Sequence, residues 1–135
     1  MNGKKLNLKK NYKFYVVAYK MVDGKEVEIG KSIVAHIVGK NNTKYTNVKK
    51  VKVKKSKFTL KVNGKATIKA STILVKKGKR QLTDAHTKEF RYATSNKAVA
   101  TVSKAGKIKA VGKGKCTIYV YARNGYCKKV SVVVK

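Results

Sequence analysis

The sequence predicts an all-β protein whose short strands pack as a sandwich, and three observations support this prediction. Apolar and polar residues alternate with a period of two, which places successive side chains on opposite faces of a strand. No long window shows helical periodicity. Proline is absent, so glycines and polar clusters separate the strands. The 135 residues have room for one domain plus a fragment, or for two very small domains, and the hydrophobic content of 42% is enough to bury a core.

The strands predicted after residue 47 follow one another at regular spacing, with turn residues between them, as in a β-sandwich. They span residues 48–53, 58–62, 65–71, a weak segment at 73–75, 89–94, 98–102, 107–111, 115–122 and 126–134. Residues 76–88 show no strand periodicity and are predicted to form a loop. Because loops carry function more often than strands do, this is the segment that we expect to have a role of its own.

The last two predicted strands form a hairpin whose register follows from its turn. A three-residue loop with Gly125 in the left-handed region pairs Ala122 with Tyr126. A two-residue Asn-Gly turn would instead place Lys129 opposite Val120, inside the core. We therefore predict the three-residue loop, with the apolar side chains facing inward. The residues expected to be among the most buried are Val99, Ile118, Val120 and Val132.

The same register determines on which face of the sheet each cysteine lies and which residues form the outer surface. Cys116 points inward and Cys127 points outward, and thiols on opposite faces of one sheet cannot be bridged. On the outer face, Tyr119 and Tyr121 lie near Arg123. Exposed aromatic rings among basic groups can stack sugars or bases, which makes these three residues the candidate binding surface. Packing of the rings against their neighbours on the sheet is the alternative.

The chain carries a formal net charge of +30, from 35 basic and only 5 acidic residues. Three of the basic residues are arginines, at positions 80, 91 and 123, and the other 32 are lysines. Lysine is a solvated point charge, whereas proteins that read bases favour the bidentate arginine. Because the lysines alternate with apolar residues along the whole chain, we expect a solvated lysine-rich surface. Attraction to polyanions such as wall polymers, acidic glycans or nucleic acid is the functional alternative.

Residue patterns that support catalysis or metal binding are weak. Asp84, His86 and Glu89 offer oxygen and nitrogen ligands, but the adjacent Lys88 and the positive charge of the whole chain oppose cation binding. The second histidine, His36, lies among apolar neighbours and far in sequence from any acid. A glycosidase needs paired carboxylates, and three of the five acids lie together between residues 23 and 28. The sequence therefore predicts no enzyme, no metal site and no cofactor.

The glycine-containing run Gly112–Thr117 has only a superficial likeness to a phosphate-binding loop. The full spacing of that motif is missing, and a strand pattern follows where a helix would be required. Gly112 and Gly114 are therefore predicted to be turn residues with positive φ.

No apolar run is long enough to cross a bilayer, and the N-terminal residues lack the apolar core of a signal peptide. We therefore expect no membrane insertion. We interpret Met1 as the start of a fragment whose parent chain carries an export signal elsewhere.

Three consecutive motifs support a family resemblance for residues 48–135. They are the runs Ser95–Val102 (SNKAVATV), Gly106–Gly114 (GKIKAVGKG) and Cys116–Val120 (CTIYV). Together they resemble the group 2 bacterial Ig-like family, often called BIG2. The resemblance implies an immunoglobulin-like β-sandwich with Greek-key topology. A tryptophan often stands before the first motif in this family; here Tyr92 stands at that position, and we expect it to fill the same core volume.

The first segment has a different pattern. Leu6 precedes Tyr12 by six residues, which resembles the tyrosine corner before strand F of a fibronectin type III domain. On this interpretation strand F spans residues 12–20, a charged loop 22–30, and the final strand 31–38. The resemblance implies that residues 1–40 are the C-terminal strands of a partial fibronectin type III-like domain, a β-hairpin fragment of a second sandwich. Residues 41–47 would form a linker before the Ig-like domain at 48–135.

An isolated hairpin is at best marginally stable, so this segment needs cover for its apolar face. We expect the cover to come from residues 48–62 or from self-association with a second copy of the chain.

The resemblance implies a non-catalytic structural or adhesion module of a bacterial cell-surface or secreted multidomain protein, located outside the cell or on its surface. Its partners would then be neighbouring domains of the parent protein. The first alternative is a module that binds carbohydrate or an anionic cell-wall polymer, and the second is a non-specific binder of polyanions or nucleic acid.

Overall fold

The computed structural model describes residues 3, 5–83 and 88–135, which form thirteen β-strands and no helix. The strands are β1 (Asn11–Phe14), β2 (Val17–Val22), β3 (Lys25–Lys31), β4 (Ala35–Val38), β5 (Val48–Val53), β6 (Lys57–Leu60), β7 (Lys65–Thr67), β8 (Ala70–Leu74), β9 (Phe90–Thr94), β10 (Ala100–Val102), β11 (Lys107–Ala110), β12 (Gly114–Ala122) and β13 (Cys127–Val134). The predicted all-β class is confirmed.

The module that follows residue 47 is a sandwich of small sheets. One layer is a four-stranded sheet in the order β6-β13-β12-β9, in which β6 runs parallel to β13 and the other pairs are antiparallel. The other strands form a three-stranded sheet, β10-β11-β7, and the pair β5–β8. Strand β5 contacts β12 and β13, which closes the sandwich over the four-stranded sheet.

Alternate residues of β12 and β13 fill the core. Ile118 and its cross-strand partner Val130 are both completely buried. The four predicted core residues all belong to the same buried cluster, which confirms that prediction. The fully buried side chains of largest volume are Val51, Ile108, Ile118, Val120, Val130 and Val132.

The register of the β12–β13 hairpin is the predicted one. The amide of Ala122 donates to the carbonyl of Tyr126 at 2.9 Å, and Gly125 has a φ of +83°. Cys116 stands opposite Val132 and is buried, and both cysteines are free.

Two predicted strands are divided differently in the structure. The prediction of one strand over residues 65–71 and a weak one over 73–75 was wrong, because the chain changes sheets between them. β7 pairs with β11, whereas β8 pairs with β5. Ile68 is buried at the crossing, and the carbonyl of Lys69 accepts the amide of Lys54. Period-two alternation continues through such a corner, so the pattern alone does not locate it.

The two glycines of the Gly112–Thr117 run have different roles. Gly114 has a φ of +143°, as predicted. The prediction for Gly112 was wrong, because it is not among the residues with positive φ. A Cβ at Gly112 would lie 2.8 Å from the carbonyl oxygen of Ala98, so this position needs glycine for close backbone approach.

Tyr92 occupies the place where the family often has tryptophan, and it packs against the core as expected. It pairs with Val120 on the inner face and is partly buried against the buried cluster. Its ring covers Gly106, where a Cβ would lie 2.8 Å from the ring carbon Cζ and 2.9 Å from the hydroxyl oxygen. Burial, with a smaller contribution from Glu89, raises the pKa of the Tyr92 hydroxyl.

The N-terminal segment folds as one long irregular hairpin. β1 pairs with β4, and β2 pairs with β3. The expectation of a charged loop over residues 22–30 was therefore wrong, since most of those residues lie in β3. Asp23 and Gly24 have φ values of 50° and 74°, which makes them the tight turn that matches the twist of the two strands.

Tyr12, at the start of this hairpin, is hydrogen-bonded to the backbone of Asn7. The hydroxyl of Tyr12 accepts the amide of Asn7 at 2.7 Å and donates to the carbonyl of Asn7 at 3.1 Å. These two hydrogen bonds fix the Tyr12 side chain against the backbone five residues upstream. Further along the hairpin, β2 and β3 leave large apolar side chains in solvent, among them Tyr19, Met21 and Ile29.

The hairpin contacts the module through β4. The amide of His36 donates to the carbonyl of Arg123 at 2.8 Å, beyond the end of β12, and His36 and Val38 also line a small pocket together with Val48. The side chain of Asn47 donates to the carbonyl of Val38 and accepts its amide. His36 and Val38 are both buried as a result.

Replacing Gly106 with alanine should destabilise the module by about 2–4 kcal/mol, because a φ of +76° strains any other residue and the new methyl group meets the Tyr92 ring. The matched control is Gly78→Ala, where φ is +78° but no atom lies within 4 Å of the position that the methyl group would take. Only the conformational cost of about 1–2 kcal/mol should remain there. Urea unfolding of both variants measures the difference, and equal losses would show that Tyr92 does not pack on Gly106.

Candidate functional site

The outer face of β12 carries the two tyrosines that the sequence singled out. Strand β12 alternates strictly, with Cys116, Ile118 and Val120 buried on the inner side. Tyr119 and Tyr121 therefore share the outer face, where their ring centroids lie 6.1 Å apart with an interplanar angle of 22°. Both are half-buried. The two rings form a stacked pair on this face.

Basic residues of the neighbouring strands flank this surface. Tyr119 pairs with Lys129 on β13, and Tyr121 pairs with Arg91 on β9 and with Cys127 on β13. Sequence reasoning did not assign Arg91 or Lys129 to the site. The parity of β9, on which Phe90 and Tyr92 face the core, was the signal that could have placed Arg91 outside.

Arg91 connects the module to the N-terminal hairpin. Its Nη1 donates to the carbonyl of Val34 at 2.6 Å, and its Nη2 donates to the carbonyls of Ala122 at 3.1 Å and Arg123 at 3.3 Å. Burial lowers the pKa of the guanidinium from its ordinary value. One side chain thus joins the loop before β4 to the end of β12.

Arg123 lies at the turn after β12, at the same junction. Its carbonyl accepts both the amide of His36 and Nη2 of Arg91. The structure therefore brings Tyr119 and Tyr121 together as a stacked pair, and it places Arg123 beside the hairpin at one end of the pair.

Two groups on this face, the hydroxyl of Tyr121 and the thiol of Cys127, have shifted pKa values. Burial raises the pKa of the Tyr121 hydroxyl, and Cys127 and Tyr119 raise it further. Burial also raises the pKa of the Cys127 thiol, although Lys129 and a hydrogen bond with the backbone of Val120 act in the opposite direction. Both groups are therefore neutral near pH 7, and the charge of this surface comes from its basic residues.

A cleft of about 530 Å³ lies where the hairpin meets the module. Ile33 and Val34 line it from the hairpin, and Phe90 and Tyr92 line it from β9, with basic side chains around them. Because its walls come from both parts of the chain, the shape of the cleft depends on the junction that Arg91 maintains.

Asp84 and His86 of the candidate metal group lie outside the described residues. Oε1 of the third member, Glu89, accepts hydrogen bonds from Gln81 at 3.0 Å and from Thr72 at 3.4 Å. Across residues 3, 5–83 and 88–135, no group of three or more histidine, cysteine, aspartate or glutamate side chains is placed to hold a metal ion. Nor does this part of the chain contain a helix of the length and apolarity that spanning a bilayer requires.

Comparisons with known proteins identify the module. Residues 47–134 match the family described as bacterial Ig-like domain (group 2). The chain is also similar to the crystal structure of domains 4 and 5 of the S-layer protein SbsC, with a TM-score of 0.54 and 18% sequence identity, over 75% of this chain and 62% of that one. This similarity supports the sandwich fold.

A second similar structure is a mutant of intimin from EHEC O157:H7, with a TM-score of 0.45 and 16% identity, over 64% of this chain and 47% of that one. The chain thus spans less than two thirds of the length of either structure. No curated protein matches the sequence.

The two thiols should react very differently with a disulfide reagent such as DTNB. Cys127 should react, with a rate that rises at higher pH than for a free cysteine, because burial raises its pKa. Cys116 is only 7% exposed and should react only on unfolding. The variants Cys116→Ser and Cys127→Ser separate the two signals. Two thiols that react at the same rate, or a native protein with none, would contradict the register.

Replacing Arg91 with alanine should loosen the hairpin without unfolding the module. The hairpin would lose the bond to Val34, so the amide of His36 should exchange with solvent at least tenfold faster. The matched control is Arg80→Ala, which removes an exposed arginine side chain. Hydrogen exchange measured by NMR distinguishes the variants, and unchanged protection of His36 in Arg91→Ala would show that Arg91 does not maintain the junction.

Proposed function

The chain belongs to the group 2 bacterial Ig-like family, and from this premise we propose that it is a non-catalytic structural or adhesion module of a bacterial cell-surface or secreted multidomain protein. The observation that carries the proposal is the family match over residues 47–134. The fold shared with S-layer protein domains supports it. On this proposal the chain lies outside the cell or on its surface, and its partners are the neighbouring domains of its parent protein.

The position of the last strand favours a load-bearing role. β13 pairs with β12 on one side and with β6 on the other, and the amide of Lys135 donates to the carbonyl of Leu60. β6 enters the sheet parallel to β13, so pulling the two ends of the module apart would slide these strands along each other. Sliding strains all the hydrogen bonds of the ladder together, which suits a module under tension.

The N-terminal segment extends the same proposal. Residues 1–40 would be the last strands of a fibronectin type III-like domain, followed by the linker 41–47 and the Ig-like domain 48–135. The hydrogen bonds between Tyr12 and Asn7 support this assignment. The exposed side chains of Tyr19, Met21 and Ile29 would then be covered by the rest of that domain or by self-association.

A second candidate function is binding of carbohydrate or an anionic cell-wall polymer at the surface formed by Tyr119, Tyr121 and Arg123. The observation that favours it is the stacked pair of aromatic rings on a half-buried face that basic residues flank, since such rings can pack against the apolar face of a sugar. Non-specific binding of polyanions or nucleic acid is a third, favoured by the net charge of +30.

One binding experiment separates a specific carbohydrate site from the other two functions. The chain is applied to a glycan array and to anionic polymers, each at about 50 mM and about 500 mM salt. A structural module should show no glycan signal that persists at high salt, because its attraction to anions is screened. A signal for one glycan that persists at about 500 mM would overturn the structural proposal in favour of the second function.

Such a signal would have to depend on the stacked rings. Tyr119→Ala and Tyr121→Ala should then abolish it, while Tyr126→Ala, an exposed tyrosine in the turn region after β12, should leave it unchanged. Loss in all three variants would instead point to general destabilisation.

A further inference from the structure

The outer face of the three-stranded sheet β10-β11-β7 consists of lysines and hydroxyl side chains. Across the sheet, Thr101 pairs with Lys109, and Lys109 pairs with Lys65. In the next row, Lys107 pairs with Thr67. Alternation explains the arrangement, because Ile108 and Ala110 on the same strand are buried in the core.

This face holds like charges together. Lys65 and Lys109 stand directly opposite each other, an arrangement that destabilises an antiparallel pair. Lys107 precedes Lys109 by two residues, at about 7 Å along the strand. The acids lie elsewhere: three in residues 23–28, Asp84 outside the described residues, and Glu89 engaged by Gln81 and Thr72. A bound anion would relieve the repulsion.

The lysines of this face and those of the neighbouring depression form a row along the surface, which we call the lysine track. The residues of this face line a shallow depression of about 610 Å³, and Ser103 borders it. Thr67 also borders a second depression of about 380 Å³, which is lined by Lys54, Lys55 and Lys69. The lysines therefore continue past Thr67 from one depression into the other. A row of charges suits a linear polyanion better than a single small anion.

The chemistry of the track narrows the class of ligand. Lysine binds phosphate as a point charge, and the hydroxyls of Thr67 and Thr101 can donate to phosphate oxygens. The stacked tyrosine pair lies on the outer face of the other sheet. The stacked tyrosine rings are therefore on the other sheet from this track, and Phe58, which lines the second depression, is only 8% exposed and offers little ring surface to a base or a sugar.

We propose that the face formed by Lys65, Lys107 and Lys109 binds a linear phosphodiester polymer that has no bases, such as poly(glycerol phosphate). The polymer lies along the lysine track and is recognised by its charge and spacing. This inference goes beyond the proposed structural role and stands whether or not that role is correct.

The test measures binding of poly(glycerol phosphate) to the full chain and to Lys65→Gln/Lys107→Gln/Lys109→Gln over a range of salt concentrations. At about 50 mM salt, the triple variant should bind at least tenfold more weakly. The slope of log K against log salt should become shallower by about 2, or about 0.7 for each lost phosphate contact. Thermal melting should be unchanged or raised, because the repulsion between Lys65 and Lys109 is removed.

The matched control is Lys10→Gln/Lys20→Gln/Lys25→Gln, which removes the same charge from exposed positions of the N-terminal hairpin. It should weaken binding less than threefold and leave the slope nearly unchanged. Equal losses in the two triple variants would show that only total charge matters and would overturn the proposal.

A second arm replaces the polymer with single-stranded DNA of the same phosphate count. Binding to DNA that is no tighter than to poly(glycerol phosphate) supports the proposal. Tighter binding to DNA that depends on Lys65, Lys107 and Lys109 would overturn it in favour of a nucleic-acid surface. Neither result involves Tyr119 or Tyr121, so the outcome is separate from that of the glycan experiment.

Discussion

The three-residue turn that ends at Gly125 sets the register of β12 against β13, and most of the structure depends on that register. A slip of one residue would move every side chain of one strand to the opposite face. The core pair Ile118 and Val130 would be lost, and the tyrosine pair would lose its place beside Lys129. The same turn places the carbonyl of Arg123 where the hairpin amide of His36 reaches it. Core, surface and junction are therefore consequences of one turn.

Charge is the second constraint, and it acts on the surface only. A net charge of +30 is compatible with a folded chain because alternation keeps most lysines in water while the intervening residues are buried; Lys128, opposite Val120 on the inner face, is half-buried. Most of these lysines are hydrated separately from one another. On the β10-β11-β7 face, by contrast, pairing of strands brings Lys65 opposite Lys109, which the order of charges along the sequence does not indicate. Pairing between strands that are distant in sequence thus concentrates lysines, which the sequence spreads along the whole chain, on one face of the module.

Local sequence patterns predicted the strands and the buried faces of the module better than they predicted the contacts between its parts. Parity placed Ile118 inside and Cys127 outside because both follow from one turn and a period of two. The charge of the stretch after Val22 predicted a loop, but Asp23 and Gly24 form a tight turn and the charged residues after them pair with β2 as strand β3. Parallel pairing of β6 with β13 and the reach of Arg91 to Val34 join residues far apart in sequence, and alternation carries no information on such pairs. The sequence predicted that Tyr119 and Tyr121 share one face of a strand. The basic residues beside them, Arg91 and Lys129, lie on neighbouring strands, so their positions follow only from the pairing of those strands.

The register can be tested most directly with the native thiol of Cys127, in a Cys116→Ser background. Cys127 stands opposite Tyr121, so Tyr121→Cys should form a disulfide on mild oxidation. In the register of a two-residue turn, Cys127 would instead stand opposite Ala122. The measurement is the yield of disulfide in Tyr121→Cys and in Ala122→Cys, by mass spectrometry after alkylation of free thiols. We expect a nearly complete bridge in Tyr121→Cys and little in Ala122→Cys; the reverse result would contradict the three-residue turn.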